Sequence, residues 1–234
     1  MASNQPEQRS GLITALRIHE RDPQRVHLFL DETFALTISV DTVVGEQLYI
    51  GRHLSLAEYA RLSGLAEADH AYRLALRALE SRARSVGELQ ERLRRKGMAQ
   101  AAIEQAIERL RNLGLVDDLA FAQSWIDGRQ RSRPRGPAAL RDELRRKGVA
   151  AATIDTAIAA AGVADTEYEQ ALHLARRMVD RYAALADFAV FSRKLGGMLQ
   201  RRGFSYDVVR PIVTLLWQEL NGTTTRDSDD VICQ

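Results

Sequence analysis

The sequence predicts a mainly α-helical protein: three tandem three-helix repeats that form an elongated, curved array, preceded by a small N-terminal β-hairpin region. The spacing of apolar residues provides the two observations that separate these parts of the chain. Apolar residues alternate with period two only before residue 55, whereas three- and four-residue spacing prevails from there to about residue 220. The third observation predicts the repeats, because a motif of two leucines, basic residues and a glycine recurs after 51 and then 55 residues.

Residues 12–54 form the predicted β-hairpin extension. Residues 25–30 and 34–40 each alternate apolar with polar side chains, and the acidic pair Asp31-Glu32 between them is typical of a turn. Residues 12–18 follow a looser alternation and are a candidate third strand. We therefore expect a small antiparallel sheet ahead of the helices.

A capping box marks the start of the helical part. Ser55 and Glu58 have the spacing in which the hydroxyl accepts a backbone N–H and the carboxylate reaches back to the serine N–H. We expect a short linking helix over residues 55–67, with a break at Gly64, before the first repeat. Ser85 and Glu88 carry the same signature inside that repeat.

The recurring motif defines the three repeats. It reads Leu89-x3-Leu93-Arg-Arg-Lys-Gly97, then Leu140-x3-Leu144-Arg-Arg-Lys-Gly148, then Leu195-x3-Leu199-Gln-Arg-Arg-Gly203. A glycine just after a helix readily adopts a left-handed backbone, so each motif predicts the end of a second helix. Apolar residues return six and ten positions after each glycine and predict a third helix. With one preceding helix each, the repeats are expected over residues 68–115, 116–163 and 164–220.

Composition and the chain ends limit the protein class. Hydrophobic residues make up 45% and charged residues 27%, as in folded soluble proteins. Residues 1–11 and 221–234 are polar and are expected to be disordered. No apolar run is long enough for a membrane helix or a signal peptide, and the single cysteine, Cys233, excludes an intrachain disulfide framework. We expect a cytoplasmic monomer with no membrane contact.

No catalytic, cofactor or metal site is predicted, so the sequence favours a protein that is not an enzyme. It contains no glycine-rich phosphate loop, and its five histidines lack the spacing of metal ligands. The acidic pair Asp117-Asp118 follows a glycine-containing break and begins the next helix, which favours helix capping over metal binding or acid–base chemistry.

Basic residues are the candidate binding residues. Residues 75–150 hold 17 basic and 10 acidic side chains, a net charge of +7, while the rest of the chain has a net charge of −5. Cations at a helix C-terminus stabilise the helix dipole, which explains single basic residues at the motifs but not a run of three at equivalent places. Both a structural and a binding role can hold together. If the repeats stack regularly, one basic row is formed by Arg94, Arg95, Lys96, Arg145, Arg146 and Lys147.

A second basic segment lies between two predicted helices. Its alternating arginines suit an extended loop that follows a phosphate backbone or an acidic surface, although a solvated loop with no partner is the alternative. No aromatic residue lies within it, and Phe121 and Trp125 on the preceding helix are interpreted as core. The third repeat has a weaker cluster, Arg201 and Arg202, after a helix that contains Gly196-Gly197. The loop arginines are Arg129, Arg131, Arg133 and Arg135.

An ordered set of motifs resembles the RecX family, bacterial regulators of the RecA recombinase. The match covers about residues 68–160 and becomes weaker in the third repeat. The strand region resembles the N-terminal extension that is found in part of the family. They are Arg82-x-Arg84-Ser85, Glu88-Leu89, Lys96-Gly97, Leu113-Gly-Leu-Val-Asp-Asp118, Phe121-Ala-x-Ser-Trp-Ile126, Arg133-Pro-Arg-Gly136 and Leu140-x3-Leu144-x2-Lys147-Gly148.

The resemblance implies a three-helix repeat fold and a partner, the RecA filament on single-stranded DNA. Family members are thought to lie in the filament's groove and to block its extension, ATP hydrolysis and strand exchange, which links them to recombination, DNA repair and the SOS response. Lys96 and Lys147 match the family pattern, whereas the flanking arginines are chosen from charge. Whether single-stranded DNA is contacted directly or through the filament is left open. The alternatives are a DNA-binding repeat module without a recombinase partner and a repeat scaffold with an unrelated partner.

Overall fold

Residues 9–224 are described by a computed structural model, in which the chain divides between Asp117 and Asp118 into two units. The first unit contains the sheet and four helices, and the second contains six helices. Within the described range, no helix is both long and apolar enough to cross a membrane. The described residues leave out residues 1–8, most of the predicted disordered tail, and Cys233.

A four-stranded antiparallel sheet opens the first unit. The strands are β1 (Gly11–His19), β2 (Asp22–Leu30), β3 (Thr33–Ser39) and β4 (His53–Leu54), in the spatial order β3-β2-β1-β4. Asp31 and Glu32 have φ of 45° and 66°, as a tight hairpin turn requires at both central residues. The predicted hairpin and its third strand are therefore confirmed, and β4 enlarges the sheet.

Val40 begins a short helix rather than ending a strand. This helix, α1 (Val40–Gly45), starts after Ser39, whose hydroxyl accepts the Thr42 N–H. The alternation over residues 34–40 predicted a strand through Val40. The capping hydroxyl of Ser39 stops the ladder one residue earlier, because it satisfies a backbone donor that would otherwise need a strand partner.

One long helix, α2 (Leu56–Ser81), replaces the predicted linking helix and the first helix of the first repeat. Ser55 and Glu58 form both halves of the predicted capping box. The helix continues through Gly64, where a glycine costs about 1 kcal/mol relative to alanine. Packing outweighs that cost, because Tyr59 and Leu62 are buried against the sheet while the alanines further along are buried in the first repeat.

Nine helices form the three predicted three-helix repeats, so the mainly α-helical fold class is confirmed for the described residues. The elongated, curved arrangement of the repeats stays a prediction. After α2, the helices are α3 (Val86–Arg95), α4 (Gln100–Asn112), α5 (Asp118–Ser132), α6 (Pro137–Arg146), α7 (Ala151–Ala160), α8 (Glu167–Val179), α9 (Phe188–Arg201) and α10 (Tyr206–Thr224), with a 3-10 turn at Asp180–Tyr182. Helix α10 extends four residues past the predicted start of the tail.

Each repeat has its own apolar core built from the same motif positions. All twelve are buried, which confirms the period read from the sequence. They are Leu89, Leu93, Ile103 and Ile107 in the first repeat, Leu140, Leu144, Ile154 and Ile158 in the second, and Leu195, Leu199, Val209 and Val213 in the third.

The three motif glycines end their helices in the same way. Gly97, Gly148 and Gly203 have φ of 77°, 76° and 85°, in the left-handed region. In the first repeat the Gly97 N–H donates to the Arg94 carbonyl, and the next residue's N–H donates to the Leu93 carbonyl, as in a Schellman motif. Equivalent bonds occur at Gly148 and Gly203. The basic residues before each glycine are thereby fixed at a helix C-terminus.

Candidate functional site

The first basic cluster lies at the C-terminus of α3 and is exposed. Arg94 and Arg95 donate to the two carboxylate oxygens of Glu91 at 2.7 and 2.8 Å. The hydrogen bond from Arg95, and then the charges of both arginines, hold the pKa of Glu91 below its usual value. Lys96 is exposed at the helix cap. Two arginines therefore share one carboxylate, and together with Lys96 the cluster keeps a net positive charge toward solvent.

The second cluster is similar in sequence but not in surroundings. Arg145 pairs with Asp142 at 3.1 Å, and Arg146 is exposed. Lys147 is half-buried, and its ammonium lies 4.0 Å from the ring centroid of Trp125 and 5.9 Å from that of Phe121. A cation over an aromatic face is stabilised by about 0.5–2 kcal/mol. Lys147 is thus held against helix α5, unlike the exposed Lys96.

Glu143 organises the cations around Trp125. Its Oε2 accepts from Trp125 Nε1 at 2.8 Å and from Arg129 Nε at 2.7 Å, and its Oε1 lies 3.4 Å from Arg135 Nε. The Arg129 guanidinium also lies 4.5 Å from the Trp125 ring centroid. Burial raises the pKa of the Glu143 carboxyl, but the bonds from Arg129 and Trp125 and the charges of Arg129 and Arg135 outweigh it and lower the pKa. One mostly buried carboxylate therefore positions two arginines and the indole.

Phe121 lies in the core of the second repeat as predicted, but Trp125 lies only at its edge. The interpretation of Trp125 as simple core missed its contacts with Arg129 and Lys147. The four-residue spacing of Trp125 and Arg129 was a usable signal, because such pairs meet on one helix face. The contact with Lys147 comes from another helix, and nothing local in the sequence predicts it.

The prediction that four arginines lie in a basic loop is wrong for two of them. Arg129 and Arg131 lie in α5, which continues through Gly128 and ends at Ser132. The residue before Pro134 is disfavoured in helical conformation, so the helix ends at Ser132. Residues two apart lie on different sides of a helix. Arg129 accordingly contacts Glu143, while Arg131 is exposed and donates to the Asp127 carbonyl.

The remaining loop, residues 133–136, packs against the third repeat. The Gly136 N–H donates to the Arg202 carbonyl at 2.9 Å, and the Ala138 N–H donates to the Gly203 carbonyl at 3.3 Å. A Cβ on Gly136 would lie 2.2 Å from the Gly203 carbonyl oxygen, so the two backbones touch. The basic loop and the third-repeat cluster are thereby joined within the second unit.

This contact brings three arginines near one another. Burial, then the charges of Arg135 and Arg133, lower the pKa of Arg202. Such mutual repulsion is relieved when an anion binds nearby. Of the other predicted residues, Arg201 lies apart from this group, on the groove between α9 and α10. Residues 94–96 belong to the first unit, so the single basic row stays a prediction.

Chemically, these residues suit anion binding. Guanidinium groups form paired hydrogen bonds with phosphate or carboxylate oxygens. Among residues 9–224, no group of three or more His, Cys, Asp or Glu side chains has an arrangement that could hold a metal ion.

The chain matches family models in all three repeats. The first three-helix domain of RecX matches residues 71–110, the second matches residues 117–158, and the third matches residues 165–213. Together these matches cover more than half of the chain.

Full-length relatives and a solved structure agree with the family models. "Regulatory protein RecX" of Streptomyces coelicolor is 34% identical over 165 residues, covering 69% of this chain and 85% of that protein. The protein of the same name from Bacillus pumilus is 26% identical over 197 residues, covering 84% and 74%. A crystal structure of regulatory protein RecX aligns with a TM-score of 0.72 at 24% identity, covering 86% of this chain and 98% of that one, and supports the fold. The chain therefore belongs to the RecX family of regulatory proteins.

Proposed function

We propose that this protein is a non-catalytic regulator of RecA, which binds the RecA filament on single-stranded DNA in its groove. Binding inhibits ATP hydrolysis, filament extension and strand exchange, and so acts on recombination, DNA repair and the SOS response in the cytoplasm. Membership of a family of regulatory proteins supports the class of function. The observation that carries the proposal is the excess of exposed cations at the helix ends of the first two repeats.

The arrangement of these cations supports an anionic partner. In each cluster an exposed carboxylate, Glu91 or Asp142, holds an arginine at the surface through a short ion pair. Such exposed pairs contribute about 0–1 kcal/mol each, so a partner's carboxylate or phosphate can replace them. An elongated, curved stack of the repeats would place the clusters along one side, toward acidic subunit surfaces or DNA in the groove.

The proposal is tested by ATP hydrolysis of cognate RecA on single-stranded DNA, with this protein titrated from well below one copy per recombinase. We expect inhibition at substoichiometric levels, because a protein in the filament groove blocks growth beyond its own site. The double variant Arg145→Glu/Arg146→Glu should need at least tenfold more protein for half-inhibition, because reversed charges repel an anionic partner. Arg177→Glu/Arg181→Glu, with exposed arginines of the third repeat, is the matched control.

A lack of inhibition at equimolar protein would contradict the proposal. If the protein then bound DNA tightly without RecA, with a steep salt dependence, the second candidate function would stand: a DNA-binding repeat module. The placement of Trp125 among cations favours that candidate, because aromatic and cationic groups together bind unpaired bases and phosphates.

A further inference from the structure

A basic groove lies between α9 and α10 of the third repeat and includes Arg201, one residue of the weaker third-repeat cluster. Its volume is about 410 Å³, within the range of roughly 300–1,000 Å³ found for small-ligand sites. Arg193 and Arg201 line it from α9, and Arg210 lines it from α10. Residues 193, 197 and 201 are spaced four apart, as are 206 and 210, so each set occupies one face of its helix.

The three groove arginines form no ion pair with any of residues 9–224. The other repeats differ, because there a carboxylate three residues earlier pairs with the arginine, as Glu91 does with Arg94. In the third repeat the motif position of Glu91 is Gly197, and Arg201, which takes the place of Arg95, has no carboxylate there. The groove lining therefore carries three arginines that have no ion pair among residues 9–224, an arrangement that favours binding an anion.

Two glycines shape this groove. A Cβ on Gly196 would lie 3.4 Å from a Val209 methyl group, so α9 packs closely on α10 there. A Cβ on Gly197 would lie 3.3 Å from a guanidinium nitrogen of Arg201, which has folded back along its own helix. Glycine is unfavourable inside a helix by about 1 kcal/mol relative to alanine. Gly197 leaves room for the Arg201 head group at the groove.

An exposed aromatic ring completes the groove lining. Tyr206 is the first residue of α10 and is 62% exposed, although large aromatic side chains usually bury most of their surface. It belongs to the same lining as the three arginines. An aromatic face beside guanidinium groups is the combination with which proteins bind unpaired nucleotides, the ring stacking on the base and the cations contacting phosphate.

We propose that this groove binds one nucleotide of single-stranded nucleic acid, with its flanking phosphates on Arg193, Arg201 and Arg210 and its base stacked on Tyr206. The inference deepens the proposed function and rests on it for the presence of single-stranded DNA where the protein acts. An acidic peptide would satisfy the arginines but would leave the tyrosine ring without a stacking partner, so nucleic acid is the better fit.

The test uses the full-length protein without recombinase and a fluorescent oligo(dT) probe, with binding followed by anisotropy at several NaCl concentrations. The variant Arg193→Gln/Arg201→Gln/Arg210→Gln should bind at least tenfold more weakly. The slope of log affinity against log salt should shrink by about 1.4. The bound nucleotide has two flanking phosphates, and each phosphate contact on a single strand contributes about 0.7. The matched control, Arg177→Gln/Arg181→Gln/Lys194→Gln, removes the same charge from exposed positions outside the groove lining and should stay within twofold of the wild type. Equal losses in both variants, or none in the groove variant, would overturn the proposal.

The base contact is tested separately. Tyr206→Ala should lower affinity at least fivefold and Tyr206→Phe should retain it, because stacking needs the ring and not the hydroxyl. An abasic oligonucleotide that binds as tightly as oligo(dT), together with full displacement by poly-glutamate, would show a carboxylate-type anion site and overturn the nucleotide assignment. Failure of the proposed function is a different result: RecA ATPase is then unaffected, while the groove variant still loses oligo(dT) affinity.

Discussion

Glu143 shows how one mostly buried side chain sets the positions of several cations on the surface. Its carboxylate is 12% exposed and contacts Trp125, Arg129 and Arg135, which come from a neighbouring helix and loop. A buried carboxylate with charged donors is costly to remove, because the donors lose a partner that water replaces only in part. An anionic side chain therefore fixes the arrangement of this cationic surface.

We predict that Glu143→Gln lowers the free energy of unfolding by about 1–3 kcal/mol near neutral pH. The pKa of Glu143 is lowered in the fold, so its stabilisation is full above the ordinary glutamate value of 4.5 and is lost as pH falls through the lower folded value. The difference between wild type and variant in urea unfolding should shrink accordingly below about pH 4.5. Asp142→Asn, at an exposed ion pair one residue away, should change stability by less than about 0.5 kcal/mol. Equal effects of both variants would contradict this role.

At the level of elements, helix starts and ends were predictable where one local interaction decides them. The Ser55 capping box and the glycine ends of α3, α6 and α9 depend on residues within a few positions, and they appear as expected. Helix continuity was less predictable: Gly64 suggested a break, but α2 continues through it. Tertiary packing of the flanking apolar residues outweighs a penalty of about 1 kcal/mol, and that packing is not visible in a local window.

The close approach of two glycines makes a testable joint between the second and third repeats. We predict that Gly136→Ala lowers the free energy of unfolding by about 1–3 kcal/mol, because its Cβ would overlap the Gly203 backbone and push the elements apart. Gly128→Ala is the matched control, since a Cβ there meets nothing within 4 Å and alanine favours a helix. Urea unfolding should show a loss for the first variant and none for the second. A neutral Gly136→Ala would mean that the loop shifts without cost.

For the whole molecule, the repeat period and the charge distribution were both readable from the sequence, but the site was only partly so. The clusters at residues 94–96 and 145–147 lie at helix ends as expected. Glu143 and the groove of the third repeat were missed, because they depend on contacts between helices rather than on a run of like residues. Charge thus marks the basic part of the chain, while packing decides which cations are paired and which are left for a partner.

The net charge of +7 over residues 75–150, against −5 elsewhere, predicts salt-sensitive action of the whole protein. Exposed charge pairs are screened strongly above about 0.1 M salt, so half-inhibition of RecA ATPase should need roughly tenfold more protein at about 200 mM than at about 50 mM NaCl. Arg145→Gln/Arg146→Gln should weaken inhibition at low salt and flatten this dependence, whereas Arg177→Gln/Arg181→Gln should leave it unchanged. RecA alone, assayed at each salt concentration, corrects for effects on the recombinase. Inhibition that is equally strong at both concentrations would mean that apolar contacts carry the binding and that the basic clusters serve chiefly to end their helices.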